Sequence, residues 1–293
     1  MKNNNTPMTV DSLITEKCRR AADDNKHVIH YWCNDIQPNR TTLVFLPGLT
    51  ADHHLFDYQV QYFAPIYNVI VWDAPGHGAS RPFELDFSLD DKAHYLHNLL
   101  ATEGIERPVF VGQSMGGYVA QCYLELYPSE ASGFISIDSA PLKRQYCTNA
   151  ELWLMRHAEP MYRAFPWRML LKSGPKGCCT TEQGQRQMLN MMQSYTKDEY
   201  CRLAGHGYRM LADAIASGRG YDISCPALLL CGEHDRAGSS RNYNRRWAAG
   251  ESLPLKWIPS AGHNSNVDRP DIVNKAIADF VEAVPVSTTT THL

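Results

Sequence analysis

Short apolar runs alternate along the chain with stretches whose apolar residues recur at helical spacing. His27–Trp32, Thr42–Leu46, Asn68–Trp72, Pro108–Val111, Phe134–Ile137, Ala227–Cys231 and Leu255–Ile258 read as strands. Thr42–Leu46 stops at Pro47-Gly48, and Asn68–Trp72 stops at Asp73-Ala74-Pro75-Gly76. These two runs lack polar alternation, which requires burial on both faces and suits interior strands of a parallel sheet. Ser88 caps a predicted helix, with Asp91 in a capping-box position and Leu96, Leu99 and Leu100 as its apolar stripe. Tyr118–Tyr127 reads as a helix ended by Pro128, and Pro270–Val284 as the closing helix.

Between about 141 and 222 the rhythm changes. No strand is predicted there, and Glu151–His157, Pro160–Leu171, Thr181–Tyr195 and Lys197–Ser217 all have helical patterns. The expected organisation is a core of residues 1–140 and 223–284, a helical insert over 141–222, and a frayed tail over 285–293. A length of 293 residues suits one large core carrying such an insert. Apolar residues make up 44% and charged residues 20%, a globular composition. The net charge of −3 gives no basic excess to attract nucleic acid or anionic lipid. The insert holds 12 Lys/Arg against 7 Asp/Glu, so a basic insert is expected above an acidic body. Nine cysteines show no C-x-x-C pair, Met1–Pro7 lacks a signal-peptide core, and no run approaches the roughly 18 apolar residues of a membrane span. The expectation is a reduced, soluble, cytoplasmic protein.

Gly112-Gln113-Ser114-Met115-Gly116 matches G-x-S-x-G between a predicted strand and a predicted helix. A strand that turns abruptly into a helix strains its apex residue and exposes that side chain. Glycines on either side let a neighbouring chain approach, and the helix N-terminus offers free N–H groups to an oxyanion. A serine hydroxyl needs a base, itself oriented by an acid, and in this context the chain order is Ser, Asp/Glu, His. Asp235 follows the strand Ala227–Cys231, and His263 follows Leu255–Ile258. Asp138, at the end of Phe134–Ile137, is the competing acid. Gly112–Gly117 lacks a Gly-Lys-Ser/Thr ending, so it is not a phosphate loop. Asp73 reads as pinning a tight turn, His77 as shaping its loop, and His94 with His97 as a surface pair; His206 has no assignable role.

From about Thr42 to Val284 the chain resembles the α/β-hydrolase family. The matching pieces are Leu46–Leu49, Asp73–Ser80, Gly112–Gly117, Gly232–Asp235 and Ala261–His263. The resemblance implies a mostly parallel central sheet flanked by helices, with an all-helical lid inserted after the sixth core strand. It implies Ser114 as nucleophile, His263 as general base and Asp235 as its orienter. The backbone N–H groups of Leu49 and Met115 would form the oxyanion hole, although Pro47-Gly48 stands where the family often has His-Gly. No metal or organic cofactor is implied. His53, His54 and Trp153 are candidate substrate contacts. The expected activity is hydrolysis of a small carboxylic ester, thioester or lactone through an acyl-enzyme, with the basic insert favouring small anionic substrates. Carbon–carbon bond hydrolysis of a diketone acid or acyl transfer is the second reading. A hydrolase-like ligand receptor is the non-enzyme reading.

Overall fold

The computed structural model describes residues 9–21 and 27–284; the chain start and the 285–293 tail discussed above lie outside them. Its strands are β1 (Thr15–Arg20), β2 (Val28–Cys33), β3 (Thr42–Leu46), β4 (Asn68–Trp72), β5 (Val109–Gln113), β6 (Gly133–Ile137), β7 (Ala227–Gly232) and β8 (Leu255–Ile258). They form one sheet in the order β1-β2-β4-β3-β5-β6-β7-β8. The pairs β1–β2 and β2–β4 are antiparallel, and all others are parallel.

Every residue of β3, β4, β5 and β6 is buried. Leu43, Phe45, Val109, Val111 and Ile135 pack into one core layer, while Val44, Leu46, Phe110 and Phe134 pack into the other. That two-sided burial explains why these strands carry no polar alternation. β1 has no such requirement. Its sequence, Thr-Glu-Lys-Cys-Arg-Arg, lies at the sheet edge with most side chains exposed, so no apolar run announced it.

The helices flanking the sheet are α1 (Asp57–Phe63), α2 (Leu89–Thr102), α3 (Met115–Leu126), α9 (Ser240–Glu251), α10 (Ser265–Asp268) and α11 (Pro270–Ala283). Ser88 and Asp91 form the expected capping box of α2. The insert leaves the core after β6 and contains α4 (Asn149–Arg156), α5 (Ala158–Ala164), α6 (Trp167–Cys178), α7 (Glu182–Gln193) and α8 (Lys197–Ala216). The helix expected over Pro160–Leu171 is two helices. Pro166 lacks an amide proton and holds Phe165 in an extended conformation, which ends α5 and starts α6 in a new direction. The insert is tied to the core at several points. Arg219 ion-pairs with Asp90 and Glu125, Arg81 stacks 4.0 Å from the Tyr195 ring, and Asp268 accepts from the amides of Thr180 and Thr181 at 2.9 Å each. Among the described residues no helix is long and apolar enough to cross a membrane.

The β5–α3 turn is the tightest packing that bears on the site. A Cβ added at Gly116 would lie 1.9 Å from the Leu46 carbonyl oxygen, and one at Gly112 would lie 2.5 Å from the Gly117 nitrogen. Both obstacles are backbone and cannot swing aside. Gly116→Ala is therefore expected to lower the unfolding free energy in urea by about 3 kcal/mol or more. Gly177→Ala, in α6 with open space around the added methyl, should be neutral or stabilising by up to about 1 kcal/mol. Coincident unfolding curves for Gly116→Ala and the parent protein would contradict this packing.

Candidate active site

Ser114 sits between β5 and α3 with φ 49° and ψ −115°, a strained conformation for a residue with a side chain. Three hydrogen bonds hold it there. Its amide donates to Ile137 O at 2.9 Å, and its carbonyl accepts from Ser139 Oγ at 2.7 Å and from the Gly117 amide at 3.0 Å. The hydroxyl is thereby presented at the carboxyl ends of the parallel strands.

Asp235 and His263 reach the same rim from β7 and β8. The Nε2 atom of His263 lies 2.9 Å from Ser114 Oγ, and its Nδ1 lies 3.0 Å from Asp235 Oδ2. The other Asp235 oxygen accepts from the Ala237 amide at 2.8 Å. A carboxylate at Nδ1 favours the tautomer with the proton on that nitrogen, which leaves the Nε2 lone pair facing the serine hydroxyl. The His263 carbonyl is fixed by Gln113 Nε2 at 2.8 Å, so the strand that ends at Ser114 also anchors the imidazole loop. Burial opposes charging of His263, yet the Asp235 carboxylate outweighs it and raises the imidazole above its ordinary pKa. Burial likewise opposes the Asp235 charge, and the imidazole holds that carboxyl below its usual value. Such a chain can take a proton from the serine hydroxyl and return it to a leaving group.

Asp138 occupies a different place. It is buried at the end of β6 with φ 49°, and its two oxygens accept from the amides of Gly232 at 2.7 Å and Ser265 at 2.9 Å. It thus ties together the segments that lead to Asp235 and away from His263, while Asp235 makes the imidazole contact. Burial and the nearby Asp235 charge push the Asp138 carboxyl up. The ligand atoms of Asp138, Asp235 and Cys231 lie within 4.8 Å of one another. Each carboxylate oxygen already accepts a hydrogen bond, and burial raises the Cys231 thiol, which disfavours the thiolate a metal would require.

A cavity of about 400 Å³ opens over Ser114 and His263, and Leu49 and Met115 are part of its wall. Met115 is the first residue of α3, so its amide has no partner within the helix. The insert contributes Glu151, Leu154 and Met155 from α4, and Tyr208, Leu211 and Ile215 from α8. The core adds Tyr118 and Tyr243. No Lys or Arg among the described residues lines this cavity; its carboxylates are Glu151 and Asp138. The basic excess of the insert does not reach this cavity wall. Many of the insert's cations are engaged elsewhere, in pairs such as Arg156–Asp213 at 2.9 Å and Arg163–Asp198 at 2.8 Å.

None of the three candidate substrate contacts, His53, His54 and Trp153, lines the cavity. His53 stacks on Trp32 with ring centres 3.4 Å apart, and its Nδ1 lies 3.0 Å from Asp73. His54 is paired with Asp57 at 3.2 Å, which raises its pKa to about 9. Trp153 is 58% exposed and stacks on His157. On α4 the cavity-lining stripe is Glu151, Leu154 and Met155, at i, i+3 and i+4, and Trp153 falls off it. Asp73 pins its turn through the Ala79 amide at 2.6 Å, and His77 binds Pro75 O at 2.9 Å. His94 contacts the Tyr127 hydroxyl at 2.6 Å, while His97 stacks on the same ring and reaches Glu130 at 3.2 Å. Sequence reading missed Glu151, Tyr118, Tyr208 and Tyr243 as cavity residues. The one available signal was the Thr148-x-x-Glu151 capping box, which fixes the phase of α4.

Comparison with known proteins fits this architecture. A 2-(acetamidomethylene)succinate hydrolase of Mesorhizobium japonicum is 22% identical over 82% of this chain and 88% of its own length. The monoacylglycerol lipase ABHD6 of Homo sapiens is 23% identical over 84% of this chain and 77% of its own. The crystal structure of a hydrolase from Pseudomonas aeruginosa superimposes with a TM-score of 0.76 and 18% identity, covering 96% of this chain and all of that one. Residues 43–276 match the alpha/beta hydrolase family across strands β3 to β8, and with eight strands in this order and helices α4–α8 inserted after β6, the chain belongs to that family.

Proposed function

We propose that this protein is a serine hydrolase that cleaves a small carboxylic ester, thioester or lactone through an acyl-enzyme. The observation that carries the reading is the unbroken chain from Asp235 Oδ2 through His263 to Ser114 Oγ, with contacts of 3.0 and 2.9 Å. Ser114 Oγ attacks the carbonyl carbon as His263 Nε2 takes its proton. The tetrahedral oxyanion is held by the amides of Leu49 and Met115, and His263 then protonates the departing alcohol or thiol. Water enters along the same path, gives its proton to His263, and releases the acid and free Ser114. In this reading α4–α8 act as the lid that closes the cavity, and the chemistry requires no metal or organic cofactor.

Two alternatives lose support on physical grounds. A diketone acid would bring a carboxylate into a cavity that offers it no Lys or Arg. A pure receptor has no use for a strained serine aligned with an imidazole and a buried carboxylate. Nine free thiols suit a reducing compartment, and we assign the protein to the cytoplasm.

With p-nitrophenyl acetate, Ser114→Ala is expected to lower kcat by roughly 10³-fold or more. Undiminished turnover by that variant would refute the assignment. The pH profile tests the relay separately. Only neutral His263 can accept the serine proton, so kcat/KM should fall as pH drops through its pKa. Asp235 raises that pKa, so Asp235→Asn should move the acid limb to lower pH while reducing the plateau. An acid limb that stays in place or moves upward would contradict the pairing.

A further inference from the structure

The cavity contains one ionic feature that the proposed ester chemistry does not use. Glu151 lines it from the first turn of α4 with all four carboxylate acceptor sites occupied. Its Oε2 accepts from the Thr148 amide at 2.8 Å and the Thr148 hydroxyl at 2.7 Å. Its Oε1 accepts from Ser239 Oγ at 3.2 Å and from the Tyr243 hydroxyl. Partial burial opposes the charge, but these donors hold the carboxyl below its ordinary pKa, so it is ionised at neutral pH. Among the described residues no Lys or Arg pairs with it. Arg144 gives its donors to Cys147 O and Asn149, and Arg246 gives its own to the carbonyls of Tyr146 and Gln145.

An ionised carboxylate with saturated acceptor sites and no counter-ion acts on a ligand through its charge alone. Tyr118, Tyr208 and Tyr243 line the same cavity, and aromatic faces attract cations without needing a free acceptor. A cation that lacks hydrogen-bond donors, such as a quaternary ammonium, matches both features. A carboxylate would meet repulsion from Glu151 and no Lys or Arg among the described lining residues.

Resting on the ester-hydrolase reading above, we propose that Glu151 with Tyr118, Tyr208 and Tyr243 forms a cation-accepting subsite of the cavity. It would select esters that carry an ammonium group over esters that carry a carboxylate.

The test uses the full-length protein and two p-nitrophenyl esters of similar length, 4-(trimethylammonio)butanoate and the glutarate monoester. Glu151→Gln keeps the capping-box geometry, since glutamine serves at that position, and removes the charge. The wild type should prefer the cationic ester, and Glu151→Gln should lower the cation-to-anion ratio of kcat/KM by about tenfold or more at low salt. Binding of tetraethylammonium, followed by calorimetry, should weaken in parallel whether or not any ester is turned over. A ratio and a tetraethylammonium affinity both unmoved by Glu151→Gln would overturn the subsite, and turnover by the wild type would then leave the hydrolase reading standing. Loss of tetraethylammonium binding in a protein that cleaves neither ester would support the subsite while the hydrolase reading failed.

Discussion

Parallel pairing of β5, β6, β7 and β8 is the constraint on which the site depends. Gln113 is in register with Ile137, Ile137 with Leu230, and Gly232 with Ile258, so the four strands end at one rim. Ser114, Asp138, Asp235 and His263 each lie within five residues of such an end, although the chain places Ser114 and His263 149 positions apart. The sheet supplies the distance, and local hydrogen bonds supply the aim. Asp138 braces the segments around Asp235 and His263, and Gln113 anchors the His263 carbonyl, so one scaffold positions Ser114, Asp235 and His263 together.

The insert adds chemistry of a different kind. Its excess of basic residues suggests an electropositive roof, but charge counted along a sequence does not report which way it faces. Several of those residues pair on the insert's own surface, and Arg219 pairs across the seam with Asp90 and Glu125 of the core. What turns inward is one carboxylate among tyrosines and aliphatic side chains. The cavity therefore has a polarity opposite to that of the insert around it.

The fold was legible in the chain to the extent that burial was two-sided. Thr42–Leu46, Asn68–Trp72 and Leu255–Ile258 coincide with β3, β4 and β8. β1 stayed hidden because an exposed edge strand needs no apolar pattern, and Pro166 divided a helix that periodicity alone joined. For the site, a strand–Ser–helix turn and the order of Asp235 and His263 identified residues that the sheet brings within hydrogen-bond distance. Proximity in sequence to the motif was a poorer guide. His53 and His54 follow the Leu49 loop yet turn toward Trp32, Asp73 and Asp57. The cavity wall depends on helix phase and on contacts between α4 and α9, which no local pattern specifies.

Active-site labelling with a fluorophosphonate, followed by peptide mapping, tests the central claim most directly. An activated serine at the β5–α3 turn predicts a single adduct on Ser114, lost when His263 is replaced by alanine. An unlabelled wild-type protein, or an adduct on any other residue, would contradict the account.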